Sequence, residues 1–338
     1  MKTSTFTIIL LLIFQAATSW AQKTYPNIGK IIFSNDKLKE LISEDSKIEV
    51  LAMGFTWSEG PAWVKDGNYL LFSDVPENII HQWSEKEGLK DFLKPSGYTG
   101  RGIYSDEPGS NGLTIDHKGR LIMAEHGDRR ISAMPLTGGG KITLADNYDG
   151  KRFNSPNDVV QHPTNHQYYF TDPPYGLAGK GQDPTREIDF FGVYRIDPAG
   201  KVVMLDKTLK GPNGIAFSPD GKTLYVAQSV RTEAIVKSYP VKSDGSVGEG
   251  KLLYDATPLI NQGLPGTLDG LKTDIQGNIW TSGPGGVLIL DPTGKLLGRI
   301  ETGTPTSNCA WGDDGSTLYI TANNMLCRVK TKTKGSGN

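Results

Sequence analysis

The chain is poor in reactive side chains. Its 338 residues contain only two cysteines, five histidines and six methionines, and the formal charge is −1 at pH 7. So small a charge excludes a strongly basic nucleic-acid binder. No G-x-S-x-G elbow, H-E-x-x-H pair or dinucleotide fingerprint occurs, and "PDGKT" lacks the earlier glycine of a phosphate loop. Nucleophile-elbow, helical zinc and nucleotide chemistries therefore have no support. Two cysteines cannot form a disulfide framework. Cys309 and Cys327 stand in apolar runs, "NCAW" and "MLCRV", and are read as reduced core residues.

Long apolar runs are missing too, except at the start. "MKTSTFTIILLLIFQAATSWAQ" has one lysine, a short apolar stretch and a small-residue ending, Ser19-Trp20-Ala21. This pattern predicts a signal peptide over residues 1–21 and export to the periplasm or exterior, with no membrane contact after cleavage. Elsewhere 41 glycines and 20 prolines punctuate short runs rich in Val, Ile, Tyr and Trp. Many strands and many turns follow from that composition.

One unit recurs. A polar residue precedes an apolar run, and a turn follows: Glu59 and Gly67, Asn111 and Gly119, Asn157 and Asn165, Asn213 and Gly221, Asp269 and Gly277, Asn308 and Gly315. Six copies of about 40–55 residues, each with room for four strands, are the arithmetic of propeller blades. The expected fold is all-β, a six-bladed β-propeller of four-stranded blades over residues 47–330. The strand "KIEVLAMGF" would complete the last blade and close the ring. Residues 22–46 form an N-terminal segment with a short helix at "DKLKELI", and 331–338 a disordered tail.

The geometry of a propeller gives the polar residues a meaning. Each starts an innermost strand, so all six converge at one channel mouth: two carboxylates and four amides, without Cys or His. Such an oxygen-only set suits a hard cation, Ca²⁺ first and other divalent ions second, and fits zinc poorly. A lone residue of this kind would be an ordinary turn cap; six in register are not explained that way. The second strand of each blade returns to the same mouth and offers His126, Asp172 and Gln228 as pocket wall, with Tyr175 on a loop above.

"GFTWSEGPAW", "SPNDVV", "YFTDPPYGL", "GPNGIAFSPDGKTLYVAQS" and "LDGLKTDIQGNIW" resemble the gluconolactonase, senescence-marker-protein and regucalcin-like family from about residue 47 to 330. The resemblance implies a six-bladed, calcium-dependent and mostly lactone-hydrolysing protein. Residue by residue, it implies that Glu59, Asn213 and Asp269 are metal ligands and that Asp269 also transfers the proton. Asn157 falls on a metal-proximal or substrate-contacting position and completes the expected ligand set. Asn111 and Asn308, lining the channel, are expected with His126, Asp172, Tyr175 and Gln228 as substrate contacts. The regucalcin branch reads R-F-N-D where this chain has "RFNSPND", so Arg152 is not carried over.

The expected function is an exported hydrolase that opens a small-molecule lactone by polarising its carbonyl, with Asp269 assisting the attack of water. Two other readings stay open: a non-catalytic, calcium-stabilised ligand-binding propeller, and a phosphotriesterase-type hydrolase on the same site. Asp269 as nucleophile is also open.

Overall fold

The computed structural model describes residues 23–337; the expected signal peptide lies outside the described residues. Six antiparallel sheets of four or five strands follow one another along the chain, with a separate two-stranded hairpin, Asn147–Tyr148 and Lys151–Arg152, between the second and third. The innermost strands are Ser58–Val64, Ser110–Ile115, Val159–Gln161, Pro212–Phe217, Leu271–Thr273 and Asn308–Gly312. Each contacts the next, and Asn308–Gly312 contacts Ser58–Val64, so the ring is closed. In the first five blades the chain runs outward from the inner strand through three more antiparallel strands. This is the expected six-bladed propeller.

Closure comes from the N-terminal side. The last blade takes only three strands from the C-terminal chain, and its fourth is Ile48–Met53, paired with Met325–Lys330. Closing the ring this way removes open sheet edges. Two further strands in the N-terminal segment were not expected from the sequence. Asn27–Ile28 adds to the last blade and Lys30–Phe33 to the fifth, pairing with Leu296–Glu301. Gly29 turns between them with φ +57, and a Cβ there would meet the Glu301 carbonyl oxygen at 1.8 Å. The segment therefore staples two blades together. The expected helix is one turn, Leu38–Leu41.

Alternation along the strands puts apolar side chains on both faces of each blade, and neighbouring blades bury them against one another. Between the second and third blades lie Ile122, Phe153, Phe170 and Tyr194; between the third and fourth, Val160, Tyr169, Phe217 and Val226. Each such large side chain contributes roughly 1.5–3 kcal/mol on burial. Cys309 and Cys327 belong to the wedge between the fifth and sixth blades, as free thiols.

The left-handed turn residue shifts by one position in two of the hairpins. Gly119, Gly221, Gly277 and Gly315 hold the left-handed backbone, but in the first blade it falls on Asn68 and in the third on His166, instead of Gly67 and Asn165. The C-terminal residues also differ from a disordered tail. Lys332 N–H donates to Leu41 O, Ile275 N–H to Lys334 O and Ser336 N–H to Thr273 O. These bonds draw the end of the chain across the channel mouth remote from the polar ring. A cavity of ≈ 540 Å³ lies there, lined by Trp63, Lys272, Trp311 and Gly335.

Candidate active site

The polar ring forms at the other mouth. Five of its six residues owe their aim to breaks in the innermost strands. The strand register shifts between Glu59 and Ala62, between Ser110 and Leu113, and between Pro212 and Ile215. Such a bulge turns a side chain out of the alternating pattern. In the third and fifth blades the strand starts only after Asn157 and Asp269, with the same effect.

Glycine follows four of the six ring residues, and it has a packing role. A Cβ on Gly112 would lie 2.4 Å from Asp158 Oδ1, and one on Gly270 2.0 Å from Asn308 Cγ. Each of these four glycines therefore leaves a space that the start of the neighbouring blade's inner strand fills. Gly112 N–H donates to Asn157 O at 2.7 Å and Gly270 N–H to Ser307 O at 2.8 Å, locking blade to blade. Hydroxyls from the second strands add to this layer: Ser73 donates to Asn111 O, Thr171 to Asn213 O and Ser282 to Ser307 O.

Within the ring, Glu59 Oε2 accepts the Gly60 N–H at 2.9 Å and faces Asn308 Nδ2 at 3.5 Å. Burial, and then the charges of Asp158 and Glu107, hold its carboxyl above the usual range. Asp269 is raised well above that range by burial, then by Glu59, Asp158 and Glu107; the Asn213 amide opposes the shift. Asp269 Oδ1 is shut from solvent and has no hydrogen-bond partner among the described residues. Two mutually repelling carboxylates, one with an orphaned oxygen, are what a hard cation would relieve.

The donor set fits such an ion: Glu59 and Asp269 supply charge, and Asn157 and Asn213 can supply neutral oxygen. Among the described residues no group of three or more His, Cys, Asp or Glu side chains forms a metal cluster. The ring leans on amides instead. Asn308 does not contribute oxygen, since its Oδ1 accepts the Cys309 N–H at 2.9 Å. It presents N–H groups to Glu59 and Asp158. Asn111 is buried beside them.

The pocket wall divides. His126 is fully buried, with Nδ1 3.1 Å from Glu107 O and Nε2 3.4 Å from Asn157 Nδ2. Burial pushes its imidazole down to about 4, so it is neutral at pH 7. Tyr175 borders Asp269 and Ser229; burial first, then the Asp269 charge, raises its phenol.

Asp172 and Gln228 are engaged by backbone N–H groups. Asp172 accepts N–H groups of Asn154 and Ser155, each at 2.8 Å, and Gln228 accepts that of Lys210 at 2.7 Å. Asp74 does the same for Thr56 and Trp57. In these three blades the side chain ties down the segment entering the inner strand, so the structure gives Asp172 and Gln228 a tethering role at the positions expected to form pocket wall. Arg152 is exposed, beside the Asp128 carbonyl.

Two acids escaped the sequence reading. Asp158 takes the place that glycine holds in four other blades; it is buried, accepts the Val159 N–H, and burial raises its pKa. Glu107 lies on the loop before the second blade, near Lys180 at 3.8 Å. The first was legible as the "ND" that replaces "NG"; nothing local marked the second.

The fold and site thus define a six-bladed propeller with an oxygen-rich, carboxylate–amide mouth. Residues 57–324 match the family model described as SMP-30/Gluconolactonase/LRE-like region. The chain belongs to this family. It is 41% identical to the gluconolactonase of Zymomonas mobilis over 314 residues, 91% of this chain and 88% of that protein. A solved gluconolactonase from Xanthomonas campestris superposes with TM-score 0.77 at 28% identity, over 91% of this chain and 99% of its own. Regucalcin from Agrobacterium tumefaciens, described as calcium-binding, shares the fold with TM-score 0.66 at 20% identity, over 85% and 94% of the two chains.

Proposed function

We propose that this chain is an exported lactone hydrolase, opening a sugar-acid lactone such as gluconolactone with a bound Ca²⁺ held by Glu59, Asn157, Asn213 and Asp269. Lactone hydrolysis itself is the activity named for its relatives across most of both chains. One observation carries the site: Asp269, a carboxylate of raised pKa with an unpartnered oxygen, faces Glu59 across the mouth. The N-terminal signal pattern supports export.

A hard cation in this ring supplies charge for the carbonyl oxygen that turns negative as the lactone is attacked. The chain's own residues do the rest. Asp269 takes a proton from the water whose oxygen adds to the lactone carbonyl carbon. When the ring C–O bond breaks, the same carboxyl returns that proton to the leaving alkoxide, giving the open hydroxy acid. A cation held by Asp269 would lower its pKa, so the proton acceptor is the carboxylate oxygen that the cation leaves free. Glu59 would hold the cation from the opposite side. Asn308 offers N–H groups, and Tyr175 bounds the space where the leaving hydroxyl would sit.

The test is a panel of aldonolactones and one phosphotriester, assayed with and without chelator. Calcium-dependent lactone opening is expected. Turnover unaffected by chelator removes the metal, and calcium binding without turnover of any lactone removes the enzyme. Preference for the phosphotriester moves the substrate class.

A further inference from the structure

An asparagine carries an oxygen and an NH₂ group of nearly the same shape, and only the oxygen serves a cation or a hydroxyl proton. The ring must therefore choose which end of each amide faces the mouth. At Asn308 the choice is visible: the oxygen is spent on the Cys309 N–H and the NH₂ faces Glu59.

At Asn157 the choice is opposite, and it depends on a chain of three groups. The Glu107 main-chain oxygen, 3.1 Å from His126 Nδ1, can only accept, so Nδ1 carries the hydrogen. A neutral imidazole then has its lone pair on Nε2. The atom facing that lone pair, at 3.4 Å, is Asn157 Nδ2, which donates. His126 is fully buried, so water does not compete for the bond.

The surroundings hold this imidazole still. His126 N–H donates to Gly109 O and Gly127 N–H to Pro108 O, both at 3.1 Å, clamping the Glu107 loop against the hairpin. Gly176 closes the other side, where a Cβ would come 2.3 Å from His126 Cβ.

The geometry points to His126 as a positioning residue: fixed as the Nδ1–H tautomer by the Glu107 carbonyl, it takes the Asn157 NH₂ and turns the Asn157 oxygen into the mouth. The inference rests on the proposed function for what that oxygen serves. It differs in predicting which pair of residues is coupled.

An aspartate at 157 has two equivalent oxygens and needs no orientation, which makes a double-mutant cycle decisive. Calcium affinity would be measured calorimetrically on the chelator-treated full chain for the parent, His126→Leu, Asn157→Asp and the double variant. His126→Leu is expected to weaken calcium binding about 10- to 100-fold, the usual cost of losing a group that orients a ligand. In the Asn157→Asp background the same change should cause no loss. His126→Gln, whose amide oxygen reaches the Nε2 position, should restore most of the affinity, and His126→Asn, which is too short, should not. Equal losses in both backgrounds, or His126→Gln no better than His126→Asn, would overturn the inference. If His126→Leu does not fold, the Gln and Asn pair decides. If the parent binds no calcium, the proposed metal fails; the same cycle read in KM for a lactone then decides the positioning claim, with the same non-additivity expected.

Discussion

Asn308 Nδ2 lies 3.5 Å from Glu59 Oε2, joining the first blade to the last at the point where the ring closes. The two residues are 249 positions apart in sequence. The pair joins a donor to a buried carboxylate. Asn308→Asp replaces that donor with a second negative oxygen. In chelator, urea unfolding should show a loss of about 2–3 kcal/mol, the scale of a hydrogen bond to a charged group. Saturating calcium should recover part of it. An unchanged midpoint in chelator would mean that Asn308 does not hold Glu59.

The glycines after the ring residues give a steric prediction. Gly270→Ala puts a Cβ 2.0 Å from Asn308 Cγ, a group anchored by the Cys309 N–H and unable to swing away. Overpacking of this kind costs about 1–3 kcal/mol. Lactone turnover should fall further than stability implies, because the displaced group is part of the mouth. Gly140→Ala, with nothing within 4 Å of the added Cβ, is the control and should leave both unchanged. Equal behaviour of the two variants in thermal melting and turnover would refute the packing role.

The thiols give a pH prediction. Burial pushes both Cys309 and Cys327 up to about 12. The folded pKa lies above the unfolded value of about 8.5, so folding keeps these thiols protonated. Their contribution to stability is whole below the unfolded value and is lost as pH rises from there through about 12. At about pH 8 a thiol-reactive disulfide should therefore label neither cysteine in the native protein and both in urea. Labelling of the native protein would show that one of them is open to solvent.

How much of this was legible depends on where each residue's signal lay. The blade count and the ring could be read because Glu59, Asn111, Asn157, Asn213, Asp269 and Asn308 recur at nearly constant distance from a turn. Strand alternation and turn chemistry are local, and local rules survive into the fold. Roles that depend on a partner's direction were not legible. Asp172 and Gln228 sit at the right end of the second strand, but backbone N–H groups of the entering segment claim them. Glu107 reaches the mouth through a loop without periodicity. The strand Asn27–Ile28 has only two residues, too few to show alternation, and Lys30–Phe33 pairs with Gly298–Glu301, far along the chain and outside any local window of sequence.

The remaining prediction separates catalysis from metal retention. Asp269→Asn keeps nearly the same shape and one oxygen but removes the charge and the ability to accept a proton. If Asp269 is the base, hydrolysis should fall by roughly 10²–10⁴-fold, the usual worth of a positioned acid–base group. Removing one of two facing carboxylates also relieves Glu59, so the metal-free variant should be at least as stable as the parent in chelator. Its calcium affinity should drop, and rates must be compared at saturating ion. Asn213→Asp is the counterpart: it adds charge beside Asp269 without removing the base, so it should bind calcium at least as tightly and lose less activity. An Asp269→Asn protein that opens lactones as fast as the parent at saturating calcium would remove Asp269 as the base. The orphaned Oδ1 would then be explained by ion binding alone, and another group at the mouth, with Glu59 the first candidate, would have to take the proton.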